Sequence, residues 1–131
     1  MLRWVIEGQL ARGTRPGYSP SRDQVSRADV DKWVEEVTAQ GIRSIICLLG
    51  EDQLDLYASL PVGLASYYRD FGLNVEHIAV RDYQSPPLSD ADLARVWNAY
   101  TVLSKPVLVH CSAGIDRTGA AIEHIKRQLQ R

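Results

Sequence analysis

The chain has 131 residues, 45% of them apolar and 24% charged, with 15 basic residues against 16 acidic ones and two cysteines. A chain of this size buries roughly two thirds of its unfolded surface, so it can hold a core without a disulfide framework or a structural metal. The balanced charge argues against nonspecific nucleic-acid binding, which needs a basic surplus, and no apolar run approaches the roughly 18 residues of a membrane span.

Trp4, Val5 and Ile6, then Leu10 and Ala11 across Gly8, predict two short strands that lead into a turn-rich stretch from Gly13 to Pro20. Ser26 with Asp29 predicts a capping box. Val30, Trp33, Val34 and Val37 behind it supply one apolar helical face, which Gly41 ends. Ile45 to Leu49 is an unbroken apolar run, as in a strand covered on both faces of a parallel sheet. Helical spacing returns at Leu64, Tyr67, Tyr68 and Phe71, with Pro61 at the expected start and Gly72 at the end. Val75 to Val80 reads as the next strand. Ser89 and Asp92 repeat the capping pattern ahead of a helix whose face is Leu93, Val96, Trp97 and Tyr100. Val107 to Val109 form a short core strand, and a last helix is expected from about Thr118. The alternation predicts an α/β fold, a central and mostly parallel sheet of about four or five strands flanked by helices. In such folds, sites sit where strands end and helices begin. No repeat or linker divides the chain, so residues 1–131 are read as one domain.

The residues from His110 to Gly119 read HCSAGIDRTG and lie between the last core strand and the last helix. A loop closing onto a helix N-terminus turns backbone N–H groups toward one centre, where the helix dipole favours an oxyanion. Gly114 lets this backbone turn. The same field favours a thiolate at Cys111, which makes it a candidate nucleophile. Arg117 can grip two phosphate oxygens with its planar fork, and Thr118 is placed to offer its hydroxyl to the Cys111 sulfur. His110 is expected to orient the loop rather than react.

These ten residues resemble the phosphate loop of the Cys-based protein tyrosine phosphatase superfamily, HCxxGxxR[ST]G, at every specified position. The resemblance implies a substrate cradle from Ser112, Ala113, Gly114, Ile115, Asp116 and Arg117, with His110 and Gly119 as supports. It implies a metal-independent phosphomonoesterase with no cofactor, acting on phosphotyrosine and possibly on phosphoserine or phosphothreonine. The family also needs an aspartate as general acid. The segment HIAVRDYQSPPLSDADL resembles the strand, aspartate loop and helix of dual-specificity phosphatases, which assigns that role to Asp82. Asp90 and Asp92 are read as serving the helix start. The opening GQLARGTRPGYSP and the strand GIRSIICLL extend the resemblance over nearly the whole chain, to a small dual-specificity-like member.

Asp116 stands just before the loop arginine, as in myotubularin-like lipid phosphatases, and is a second candidate acid; a loop-shaping carboxylate is the preferred alternative. Ser112, Ala113 and Ile115 supply no lysine for further phosphates. This weighs against polyphosphorylated inositols, although Arg15 and Arg81 could add charge from adjoining loops. Tyr83 is read as packing rather than as a ring platform, and Cys47 as core rather than as a redox partner of Cys111. His77 and His124 lack metal-ligand spacing. Only 13 residues follow Thr118, fewer than in the family, and the last helix is amphipathic, so either a monomer or a homodimer is compatible. The low cysteine count and the lack of a basic-then-apolar leader lead to a cytoplasmic expectation. A phosphoinositide phosphatase is the alternative function. A noncatalytic phosphate-binding module and a rhodanese-like sulfurtransferase are weaker rivals.

Overall fold

Short apolar runs alternating with amphipathic stretches build a five-stranded sheet with helices on both faces. The computed structural model describes residues 2–131. Strands β1 (Leu2–Ile6) and β2 (Leu10–Gly13) form an antiparallel hairpin turned through Gly8. β3 (Ser44–Cys47), β4 (Asn74–His77) and β5 (Val107–His110) complete the order β1-β2-β5-β3-β4. Every pairing beyond the hairpin is parallel. The carboxyl ends of β2, β3, β4 and β5 therefore share one edge of the sheet.

Side chains alternate across a strand, and the core divides accordingly. Ala11, Ile45, Cys47, Val75 and Leu108 pack beneath helices α1 (Arg27–Ala39) and α2 (Leu64–Asp70). Leu10, Ile46, Val107 and Val109 face α3 (Asp90–Val102) and α4 (Asp116–Leu129). The predicted face of α1, Val30, Trp33, Val34 and Val37, is buried. At α3 the capping box closes in both directions, Ser89 Oγ accepting the Asp92 N–H at 3.1 Å and Asp92 Oδ2 the Ser89 N–H at 3.2 Å. At α1 only the Ser26 half forms.

The structure corrects several expected boundaries. β3 stops at Cys47 and β4 at His77, although the apolar runs continue to Leu49 and Val80. α2 starts at Leu64 behind Gly63, whose φ is +82°, so Pro61 lies outside it; Phe71 falls beyond its end and is 43% exposed. α4 starts at Asp116, two residues before Thr118, and buries Ala121, Ile122 and Ile125 while Leu129 stays exposed. A 3-10 helix, Glu51–Tyr57, was not anticipated. Among the described residues, no helix is long and apolar enough to cross a membrane.

Candidate active site

β5 lies between β2 and β3 in the sheet, so the chain leaving it emerges between their carboxyl ends, where parallel α/β sheets form crevices. That chain is the HCSAGIDRTG loop. A cleft of about 370 Å³ opens there, lined by Cys111, Ser112, Ala113, Ile115, Asp116 and Arg117 from the loop. Asp82 and Tyr83 line it from beyond β4, and Tyr18, Ser19, Pro20 and Arg22 from beyond β2.

The loop is shaped from outside. The Arg15 backbone N–H donates to Ser112 O at 2.9 Å, Arg12 Nη2 to Gly114 O at 2.9 Å, and the Leu48 N–H to His110 O at 2.9 Å. In a trans peptide unit the carbonyl and the following N–H point in opposite directions. Holding the carbonyls of Ser112 and Gly114 toward β2 therefore turns the amides of Ala113 and Ile115 toward the cleft. No side chain caps α4, which leaves its first amides unclaimed by a cap at the same place.

Gly114 has φ +76°, and a Cβ on it would stand 2.5 Å from Gly13 O. Gly114→Ala is expected to cost about 2 kcal/mol or more through backbone strain and that collision. Denaturant unfolding checks it, with Gly119→Ala as control: a Cβ on Gly119 meets nothing closer than Arg12 Nη2 at 3.6 Å, so that change should cost nothing. Gly119 thus carries no steric duty at the loop's end.

His110 lies on the α1 side, against the rings of Trp33 and Tyr68. Burial pushes its imidazole down to about 4 from the ordinary 6.5, so the ring is neutral at pH 7. Its Nδ1 sits 2.9 Å from Cys111 O, a pure acceptor, so Nδ1 bears the hydrogen and Nε2 accepts from the Tyr68 hydroxyl at 2.9 Å. Both nitrogens are committed to structure. Because the folded value lies below the unfolded one, the unfolded chain takes the proton first. The share of stability that His110 contributes is therefore present above about pH 6.5 and is expected to be lost, on the order of 3 kcal/mol, as the pH drops toward 4. Urea denaturation at about pH 7 and about pH 4.5 should show this loss, and His110→Asn should lack its share of the slope.

Arg117 is 2% exposed and Thr118 fully buried. Arg117 Nη1 donates to Leu48 O at 3.1 Å, to Val80 O at 2.8 Å and to Gln53 Oε1 at 2.8 Å. These contacts account for where the strands end: the carbonyls of Leu48 and Val80 turn to the guanidinium, although the Leu48 N–H still bonds to β5. Nη2 pairs with Asp82 Oδ2 at 3.0 Å. Among the described residues, two buried side-chain polar atoms have no hydrogen-bond partner, Arg117 Nε and Thr118 Oγ1, so the Thr118 hydroxyl is not bonded to the Cys111 sulfur here.

Asp82 is brought into the cleft, its Oδ1 accepting the Tyr83 N–H at 2.9 Å, while Gln53 Nε2 stands 3.5 Å from Oδ2. Asp116 also lines the cleft, exposed in the first turn of α4. Asp90 and Asp92 are in the first turn of α3, as expected. Tyr83 is 86% exposed with φ +62°, so it does not pack inward; with Arg22, φ +56°, it is one of the two non-glycine residues in the left-handed region among those described, and both line the cleft. Arg81 does not join them, lining instead a separate recess with Glu51 and Asp52. Cys47 is buried in the α1 cluster, its thiol pushed up to about 12 by burial, whereas Cys111 packs in the opposite cluster. Among the described residues, no group of His, Cys, Asp and Glu could hold a metal ion.

Gln53, Arg12 and Tyr68 were missed by sequence reasoning. Gln53 touches both Arg117 and Asp82 from the 3-10 helix, and no periodicity announces such a helix. Arg12 belongs to a strand and carries no motif.

A family model described as a polymorphic toxin system, DSP-PTPase phosphatase matches residues 20–127. No curated protein matches the chain in sequence. Among solved structures, a kinase associated phosphatase with its catalytic site cysteine substituted by serine is 20% identical, with a TM-score of 0.71. The match covers 92% of this chain, which spans 65% of that one. The core catalytic domain of a PP-IP phosphatase from S. cerevisiae, in complex with citrate, is 17% identical over 99% of this chain and 67% of its own, TM-score 0.65. Tk-PTP in the active form is 18% identical over 96% and 82%, TM-score 0.59. These likenesses are of fold. The family model covers most of the chain, and with the phosphate-loop motif at the end of β5 it places the protein: the chain belongs to the polymorphic toxin DSP-PTPase phosphatase family, within the Cys-based tyrosine phosphatase superfamily.

Proposed function

We propose that the chain is a catalytic domain that hydrolyses phosphomonoesters, with phosphotyrosine in protein as the preferred class. The observation that carries the proposal is the buried and unpartnered Nε of Arg117, in the first turn of α4 at the cleft. A buried donor without a partner is costly, and a phosphate oxygen at Nε would satisfy it.

In this mechanism the Cys111 thiolate attacks phosphorus and the ester oxygen leaves with a proton from Asp82. A cysteinyl-phosphate forms. Asp82, now a carboxylate, takes a proton from the attacking water, and Thr118 donates toward the sulfur as it departs. The loop amides and Arg117 stabilise the charge that builds on the equatorial oxygens. Asp82 is preferred to Asp116 as the acid because it stands in the cleft beside Arg117 while Asp116 is exposed at the helix start; a phosphate oxygen that takes Arg117 Nη2 from it removes the ion pair that favours the carboxylate and leaves it able to hold the proton. The exposed tyrosines Tyr18 and Tyr83 at the mouth favour an aromatic leaving group.

The proposal is tested with p-nitrophenyl phosphate in the presence of a chelator, beside a thiosulfate:cyanide transfer assay. Chelator-resistant hydrolysis with no sulfur transfer is expected. Sulfur transfer without hydrolysis would reject it in favour of a rhodanese-like reaction. Phosphotyrosine peptides against phosphoinositides then decide between the leading substrate class and its alternative.

A further inference from the structure

The phosphate loop rests on a second buried guanidinium. Arg15, beyond the end of β2, is 0% exposed. Arg117 has the Asp82 carboxylate beside it, but no carboxylate among the described residues stands within ion-pair distance of Arg15. Its partners are all neutral. Nε donates to Ser112 Oγ at 3.1 Å, Nη1 to the Tyr57 hydroxyl at 3.3 Å and to Pro16 O at 3.5 Å, and Nη2 to Ser19 O at 3.4 Å. The Tyr18 ring lies 5.5 Å from its Cζ. Tyr57 is not an anion in disguise: burial pushes its phenol up to about 12, and its hydroxyl donates to Pro16 O at 2.6 Å.

A buried cation without a counter-charge is among the more expensive features a small domain can hold. Arg15 contacts the phosphate loop twice, through Ser112 Oγ and, by its own backbone N–H, through Ser112 O. It also holds Ser19 and Tyr18, which line the cleft. We infer that Arg15 is a second cationic determinant of oxyanion binding, a positioning residue whose missing counter-charge is the phosphate group in the loop. This rests on the phosphomonoesterase reading above and adds to it a residue outside the loop motif. Arg15 does not line the cleft and reaches the anion only through Ser112. It keeps that loop face and the neighbouring wall in place while its charge raises the local potential.

Inorganic phosphate titrated calorimetrically into the unmodified chain and its variants tests this. Arg15→Gln keeps amide donors for Ser112 and Tyr57 and loses the charge; Arg15→Met loses both. Each is expected to weaken phosphate binding by about tenfold or more, with KM for an aryl phosphate rising more than kcat falls. Arg15→Lys should recover most of the affinity, and Tyr57→Phe, which leaves the charge in place, should lower the melting temperature with phosphate affinity near that of the unmodified chain. If a folded Gln or Met variant binds phosphate as tightly as the unmodified chain, the inference is overturned, and it is overturned equally if Lys is as weak as Gln. An unmodified chain that binds no phosphate would overturn the underlying reading first.

Discussion

Replacing Cys111 by serine is expected to reduce aryl phosphate turnover by about 10⁴-fold or more, while phosphate still binds. A serine hydroxyl needs a base to take its proton, and the site has none to spare. His110 is neutral, but its Nδ1 is committed to Cys111 O and its Nε2 to Tyr68. In the proposed mechanism Asp82 enters this step protonated, as the acid, and cannot serve as base. The cradle itself consists of backbone amides and a guanidinium held by Leu48, Val80 and Gln53, none of which depends on sulfur. Rate and binding should therefore separate. Release of p-nitrophenol and a phosphate titration measure the two, and a serine variant retaining a tenth of the activity would remove Cys111 from the mechanism.

Asp82→Ala is expected to lower kcat by about 10²-fold or more on a substrate with a poor leaving group, such as the phenolate of phosphotyrosine. The Arg117 to Asp82 ion pair makes a second expectation. In the structure Arg117 Nη2 is held by the carboxylate at 3.0 Å, so a phosphate oxygen must compete for that donor. Removing Asp82 frees it, and KM should fall together with kcat. Asp116→Ala should do neither, because Asp116 is exposed at the helix start and has no ion pair with Arg117. Steady-state kinetics on both variants decide the assignment. Greater damage from Asp116→Ala would transfer the acid role to it.

The sheet and its helices were legible because apolar periodicity reports burial, and α1 and α3 begin where Ser26 and Ser89 predict. The resemblance to the phosphatase family was legible because its motif is local, carried by ten consecutive residues. What failed was the distinction between buried strand and buried loop. Leu48, Leu49, Ile78 and Val80 are as apolar and as buried as strand residues, yet Leu48 and Val80 turn their carbonyls to Arg117, and Leu49 offers its own to His77 Nε2 at 2.8 Å. Hydrophobicity cannot tell which carbonyl serves a distant side chain. The same holds for Gln53 and Arg15, whose contacts lie 64 and 97 residues away along the chain.

The shared edge of four parallel strand ends also bears on how such a site can diversify. The HCSAGIDRTG loop with Cys111 follows β5, whereas the cleft's outer walls follow β2 and β4, and the brace on Arg117 follows β3. Each contribution hangs from its own strand. Lengthening or recharging the segment around Tyr18 and Arg22 would therefore reshape what enters the cleft while the residues after β5 keep their sequence and spacing. Selection can act on preference and on chemistry as separable traits, and a family built on this plan can change targets without reinventing its reaction.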